Sequence, residues 1–251
     1  MTAPDIILPL SNESRFDNDE LRVFLRSLEE NGRNYGNVWI VTANAPAWLK
    51  PGNGLATLYA EDRHRHNKDA NLFEKVAVAL DVAKSEDVIF TADDCAVLFP
   101  VDFGALPPIF NNRGLEKFKE DCGTKWRRRM VATLEELPRI QGINFDTHCP
   151  QRWNAERTRE AIRVTPYTAP EGRCICTAIM GRIWGMVPPG AVDQRRVKET
   201  VSGTLDAEHD IAGAKSARLD RLFVGYDDGG FGGGLRERLF VRFPERSKWE
   251  K

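Results

Sequence analysis

The apolar positions of this chain change period as the sequence advances. Ile6-Ile7-Leu8-Pro9-Leu10 is an unbroken apolar run and predicts a buried strand. Polar residues 11–18 follow, where Asp17 or Asn18 is placed to cap a helix. Leu21, Phe24, Leu25 and Leu28 recur at i, i+3, i+4 and i+7, one face of that helix. Asn31-Gly32 supplies its stop. Val38-Trp39-Ile40-Val41 predicts a second strand and residues 55–59 a weaker third. Asp69 is a candidate cap for a second helix, whose face is Leu72, Val76, Ala79 and Ala83. Asp87-Val88-Ile89-Phe90 then predicts a central strand running into Thr91-Ala92-Asp93-Asp94. Strands alternating with helices predict parallel pairing and a three-layer α/β architecture.

The pattern is less regular beyond this point. Pro107-Pro108 breaks the chain, and residues 115–137 predict one helix carrying the basic run Lys125-Trp126-Arg127-Arg128-Arg129. Residues 166–172 predict a loop, and residues 227–234 are too glycine-rich for regular structure. That last segment reads either as a mobile cover over a site or as a plain surface loop.

Composition narrows the picture without redirecting it. The 251 residues, 41% of them hydrophobic, suit a single domain over 1–251. The 36 Lys and Arg nearly balance the 37 Asp and Glu, so net charge points to no nucleic-acid or membrane partner. No apolar run approaches a membrane span, and Met1-Thr2-Ala3-Pro4-Asp5 lacks the regions of a signal peptide. Five scattered cysteines suit a reducing compartment, so a cytoplasmic location is expected, as free thiols rather than a zinc site.

Asp93 and Asp94 are the sharpest chemical signal. Acids at the carboxyl end of a central strand lie at the rim of an open α/β sheet, where ligands bind. Adjacent carboxylates repel, and a divalent cation holding a diphosphate would stabilise both. The same residues also suit an acidic turn. Pro9, Leu10, Ser11 and Arg15 follow strand one at the same edge. Arg63, Lys68, Asn71 and Lys75 surround a helix start, where N–H groups and cations favour phosphate, although Lys75 equally fits an exposed charged face. His148 could ligate a metal or give up a proton. The run at 125–129 is either a solvated helix face or, with Trp126 inside it, a contact for an anionic acceptor.

The first half resembles the GT-A nucleotide-diphospho-sugar transferases, with Thr91-Ala92-Asp93-Asp94 similar to their Asp-Ala-Asp-Asp motif. Residues 19–29, Val38-Trp39-Ile40-Val41-Thr42 and Pro46-Ala47-Trp48-Leu49 resemble the second conserved block of the Stealth family, capsular-polysaccharide sugar-phosphate transferases. His148-Cys149-Pro150 and Phe243-Pro244-Glu245-Arg246-Ser247-Lys248-Trp249-Glu250 resemble that family's His-x-Pro element and closing pattern. At 8–15, Leu-Pro-Leu-Ser-Asn-Glu-Ser-Arg departs from its Thr-Trp-Val-Asp-like first block. That departure points to compact phage Stealth-related glycosyltransferases, and to the host cytoplasm if the chain is phage-encoded.

The resemblance implies a Rossmann-like, mostly parallel sheet flanked by helices. A nucleotide-sugar half (1–105) would precede a less regular acceptor half (106–251). It implies Mn2+ or Mg2+ on Asp93, Asp94 and His148, with Asp94, His148 and Asp228 catalytic and Asp227 an alternative base. The donor, a UDP-sugar by preference, would meet Pro9, Leu10, Ser11, Arg15, Arg63, Lys68, Asn71 and Lys75. The acceptor, a glycan or hydroxymethylated DNA, would meet Lys125, Trp126, Arg127 and Arg128. Sugar-phosphate transfer, and sugar or nucleic-acid binding without catalysis, are the alternatives.

Overall fold

The computed structural model describes residues 2–11, 14–203 and 219–251. A five-stranded sheet is built from β1 (Asp5–Pro9), β3 (Val38–Thr42), β4 (Leu55–Tyr59), β5 (Asp87–Phe90) and β9 (Gln151–Asn154), in the order β4-β3-β1-β5-β9. The first four strands are parallel, and β9 runs antiparallel to β5. Around them lie α1 (Asp19–Asn31), the two-residue β2 (Gly32–Arg33) and α2 (Lys68–Val82), then β6 (Cys95–Val97), β7 (Val101–Asp102) and β8 (Ile109–Phe110). There follow α3 (Leu115–Lys119), α4 (Lys125–Glu135), α5 (Ala155–Val164) and α6 (Ile175–Trp184). β10 (Val192–Asp193), α7 (Gln194–Val197), β11 (Lys198–Val201), β12 (Phe223–Tyr226) and a C-terminal helix (Arg236–Arg242) complete the chain. β11, β12 and β6 form a second, smaller sheet.

Alternation along the strands divides the core. Ile7, Val41, Val88 and Phe90 face α2, α5 and α6, while Ile6, Leu8, Val38, Ile40 and Ile89 face α1 and Trp249. From β1 the chain builds outward through β3 to β4, then crosses back to lay β5 on the other side of β1. The order in which strands are added therefore reverses between β1 and β5, which stay parallel, and a crevice opens there at the carboxyl ends. Thr91 N–H donates to Ile7 O at 3.1 Å, so the acidic segment starts at that crevice.

Several expected boundaries move. The helix predicted over 115–137 is two helices, because Thr124 caps α4 by accepting from Arg127 N–H and the chain turns through Gly123 between them. Asn67, not Asp69, caps α2; Asp69 lies in its first turn and pairs with Arg129. Residues 227–234 are ordered. Asp227 caps a short turn, Gly229, Gly230, Phe231 and Gly233 are buried, and Gly234 takes φ 114°, which glycine adopts freely. Gly230 cannot carry a side chain, since a Cβ there would lie 2.3 Å from Val201 O.

Candidate active site

Four segments converge at the crevice. Asp93 and Asp94 leave β5 directly. The pairing Phe90↔Gln151 sets the residues before β9 beside the end of β5, and this delivers His148. β12 runs antiparallel to β6, with Gly225 opposite Cys95 and Tyr226 N–H donating to Asp94 O at 3.0 Å. Asp227 and Asp228 therefore emerge next to the acidic pair. The first turn of α1 adds Glu20.

His148 Nδ1 lies 2.7 Å from Asp94 Oδ2. Its backbone holds φ 49°, a left-handed conformation that a non-glycine residue keeps only when its surroundings fix it. Two buried side chains do so. Lys198 Nζ donates to Thr147 O at 2.5 Å, and Gln151 Nε2 donates to Thr147 Oγ1 at 3.0 Å and to Ile109 O at 2.7 Å. The Asp94 charge pushes the His148 imidazole up to about 9, against a smaller opposing effect of burial. Solvent reaches about half of the imidazole and screens that pull. At neutral pH His148 is thus an ion-pair partner of Asp94, and it must lose a proton before it can ligate a metal.

Asp93 is pushed up to about 7, first by burial and then by the charges of Asp94 and Glu20, with a smaller push from Asp228. Glu20 is itself raised by burial, although Ser14 Oγ donates to its Oε2 at 3.0 Å. These carboxylates crowd one another, with His148 on Asp94 and exposed Arg15, whose Nε stands 3.6 Å from Asp228 Oδ2, as the cations described beside them. Asp94 Oδ1 is buried and has no hydrogen-bond partner. Among the described residues, no three His, Cys, Asp or Glu are gathered closely enough to hold a metal by themselves. Magnesium-type sites of nucleotide enzymes are commonly of this open kind, with one or two carboxylates and the rest of the shell from phosphates and water. The orphaned oxygen beside a second acid fits that donor set.

The residues expected to meet a donor take unequal places in the structure. Pro9 and Leu10 are buried and offer backbone; Ser11 and Arg15 are exposed, and residues 12 and 13 lie outside the described segments. Lys75 is neither on an exposed face nor available to a diphosphate. Its buried ammonium donates to Leu10 O at 2.8 Å and Asp62 Oδ1 at 2.6 Å, tying the two loops together. Asn71 is buried and grips the loop before α2 through His64 N–H and His64 O, at 2.9 and 3.3 Å. Lys68 is exposed at the start of α2, and exposed Arg63 stands 3.7 Å from Glu61.

The basic run is largely used up within its own surroundings. Trp126 Nε1 donates to Asp146 Oδ2 at 2.6 Å and packs edge-on against Phe118. Arg127 pairs with Asp121, and Arg128 donates to Cys122 O and Gly123 O at 3.1 Å each; Lys125 is exposed. Asp227 accepts from Gly230 and Gly203 N–H at 2.8 and 3.1 Å, which makes it a cap; Asp228 is exposed beside Arg15.

Sequence reasoning missed Glu20, Asp69, Asp146 and Lys198. Burial raises Asp69 to about 6 despite Arg129 beside it, and both Asp69 and Asp146 stand close enough to His148 to interact with its charge. In sequence Glu20 is an ordinary first-turn acid, Asp69 reads only as a helix cap, and Asp146 and Lys198 carry no pattern, so no local signal ties them to this crevice. The cysteines are free as expected, with Cys95, Cys149, Cys174 and Cys176 buried.

No protein-family model matches the chain, and no curated protein matches it in sequence. In three dimensions it is similar to the crystal structure of the galactosyltransferase LgtC in complex with donor and acceptor sugar analogues, at a TM-score of 0.50 and 9% identity over 97% of this chain and 98% of that one. Identity that low speaks for fold alone, and the fold it supports is the mixed, mostly parallel α/β arrangement of the GT-A glycosyltransferases.

Proposed function

We propose that this chain is a glycosyltransferase that takes a sugar from a nucleotide-diphosphate donor and passes it to an acceptor hydroxyl. One observation carries the reading. The sheet's reversal point gathers Asp93, Asp94 and His148, and leaves a buried Asp94 oxygen without a partner. Asp93 and Asp94 would hold Mn2+ or Mg2+ together with the donor diphosphate. Such an ion supplies charge neutralisation for the departing nucleoside diphosphate. The protein's own groups do the rest. Lys75 fixes the Leu10 loop over the donor, and Lys68 and Arg63 add positive charge at the start of α2. His148 holds Asp94 in place and, protonated, can give its proton to the leaving oxygen. Asp228 accepts the proton of the attacking hydroxyl.

A glycan hydroxyl is the acceptor to test first, with hydroxymethylated DNA second. The residues expected to meet phosphates, Trp126, Arg127 and Arg128, are engaged locally. Arg152 and Arg157 line a hollow with Asp87, at the opposite end of β5 from the carboxylates. Transfer to DNA would fall steeply with salt, and transfer to a neutral glycan would stay flat.

Sugar-phosphate transfer is the second reading, favoured by one feature. The two Stealth-like blocks meet in space, with Arg26 Nε and Nη2 each donating to Glu250 at 2.8 Å and Arg26 Nη1 donating to Phe243 O at 3.1 Å. The experiment is a panel of nucleotide sugars, UDP-sugars first, incubated with Mn2+ and analysed for the nucleotide released. A nucleoside diphosphate supports glycosyl transfer, and a monophosphate supports sugar-phosphate transfer. Calorimetric binding of UDP with neither product leaves a sugar-nucleotide-binding protein without catalysis.

A further inference from the structure

At the far end of the sheet from the carboxylates, the surface breaks the rule that loops are polar. Residues 183–191, Ile-Trp-Gly-Met-Val-Pro-Pro-Gly-Ala, carry no charged side chain. Trp184 is 41%, Met186 58% and Val187 43% exposed, and Val164 at the end of α5 is 66% exposed. Apolar residues scattered singly on a surface are unremarkable, but a contiguous apolar loop marks an interaction site.

The loop is presented rigidly. Gly185 closes α6 at φ 63°, with its N–H on Gly181 O. Ala191 N–H donates to Pro188 O at 3.1 Å. Val192 then enters β10 and pairs with Ile109 of β8. Two prolines between these anchors restrict the backbone further, so little ordering remains to be done on docking.

Arginines surround this apolar surface. A hollow of about 450 Å³ between Asp87, Arg152, Arg157 and Trp184 adjoins one of about 480 Å³ between Arg157, Glu160, Arg163, Val164 and Arg182, sharing Arg157 and Ile183, so the arginines here outnumber the acids Asp87 and Glu160. Arg152 is committed to Asp87 and Arg182 to Glu136. Exposed Arg139, Arg157 and Arg163 have no acidic partner among the described residues. Near-neutral overall charge makes this unpaired positive rim a local feature.

We propose that residues 183–191 and their arginine rim form a docking face for an anionic lipid bilayer. The apolar loop enters the headgroup boundary, Trp184 sits at the interface with its amphipathic ring, and Arg139, Arg157 and Arg163 meet lipid phosphates. A nucleic acid would use the cations and Trp184 but leave Met186 and Val187 unexplained. Attachment through a surface loop of this kind is peripheral, and no described helix is long and apolar enough to cross a membrane. The docking face adjoins Asp87, while Asp93 and Asp94 lie beyond the other end of β5, so the crevice stays open to solvent when the chain is bound.

The test is sedimentation of the full chain with phosphatidylcholine vesicles, with and without phosphatidylserine, at low and high salt. Cosedimentation should require phosphatidylserine and weaken with salt. Trp184→Ser with Met186→Ser, and separately Arg157→Glu with Arg163→Glu, should each weaken partitioning about tenfold or more. Both should keep wild-type melting and wild-type release of nucleotide from donor. Absence of wild-type binding to phosphatidylserine vesicles overturns the proposal, as does unchanged binding by both double variants. Retention on single-stranded DNA without vesicle binding overturns it in favour of a nucleic-acid groove. A dimer in light scattering that Trp184→Ser dissolves, again without vesicle binding, overturns it in favour of self-association.

Discussion

Asp93 and Asp94 differ although they are neighbours. Asp94 is ion-paired with His148, whereas Asp93 is crowded by Asp94 and Glu20 and its carboxyl is raised to about 7. If Asp94 carries the ion, Asp94→Asn should lower turnover about a hundredfold with the fold retained, as expected for loss of several kcal/mol of charge stabilisation. Steady-state release of nucleoside diphosphate, with circular dichroism as the control, measures it, and full activity in EDTA would remove the metal from the mechanism. Asp93 makes a prediction about stability. Its raised value means that the folded state binds the proton more tightly than the unfolded chain, whose value is ordinary. Ionisation therefore costs stability progressively as pH rises from about 4 to about 7, and the cost is complete above that. Asp93→Asn should raise the melting temperature by about 2–4 °C near pH 8 and leave it unchanged near pH 4, taking about 1 kcal/mol after solvent screening. A shift of equal size at both values would show that crowding by its neighbours is not the cause.

Among elements, α1 joins the two ends of the chain. Its first turn supplies Glu20 to the site, and its third supplies Arg26 to Glu250. Ser247 N–H donates to Glu250 Oε1 at 3.0 Å, and Trp249 is buried with its Nε1 donating to Asn53 O at 3.3 Å. The closing sequence pattern is therefore a structural clamp. Both partners of the Arg26–Glu250 bridge are mostly buried, so removing one leaves a buried charge unpaired. Arg26→Ala should cost about 3 kcal/mol in urea unfolding, and the Arg26→Ala, Glu250→Ala double variant distinctly less than the sum of the two singles. Strict additivity would show that the bridge contributes nothing specific. Element types were legible wherever the apolar period was clean, as in β1, α1, β3 and α2. β9 was not, because Gln151-Arg152-Trp153-Asn154 has no hydrophobic run. Trp153 stacks on Phe90 at 4.5 Å between ring centroids, and Arg152 pairs with Asp87, so this strand is specified by partners far away in sequence.

For the whole molecule, the crevice is a consequence of topology. A ligand binding there bridges β1, β5, the His148 loop and the turn after β12, and should stabilise all of them together. UDP with Mn2+ at about a hundred times its Kd should add about 2.7 kcal/mol and raise the melting temperature by roughly 5–10 °C for a chain of this size. Thermal scans with UDP alone, Mn2+ alone and both test this. A shift no larger with both than with either alone would argue against a shared site.

The sequence by itself determined the parallel α/β core and the acids at the carboxyl end of its central strand. Those features rest on short-range pattern: β-branched strands, helical faces, and charges that interrupt an apolar run. Only the tertiary structure decided what each charged residue does. Lys75 looked like a diphosphate cation and is a buried tie between two loops. Arg127 and Arg128 looked like an acceptor contact and are bound to Asp121 and to the carbonyls after α3. Glu20 looked like any first-turn acid and stands beside Asp93. A charge takes its role from the burial and the partners around it, and these come from segments that fold together but lie far apart along the chain.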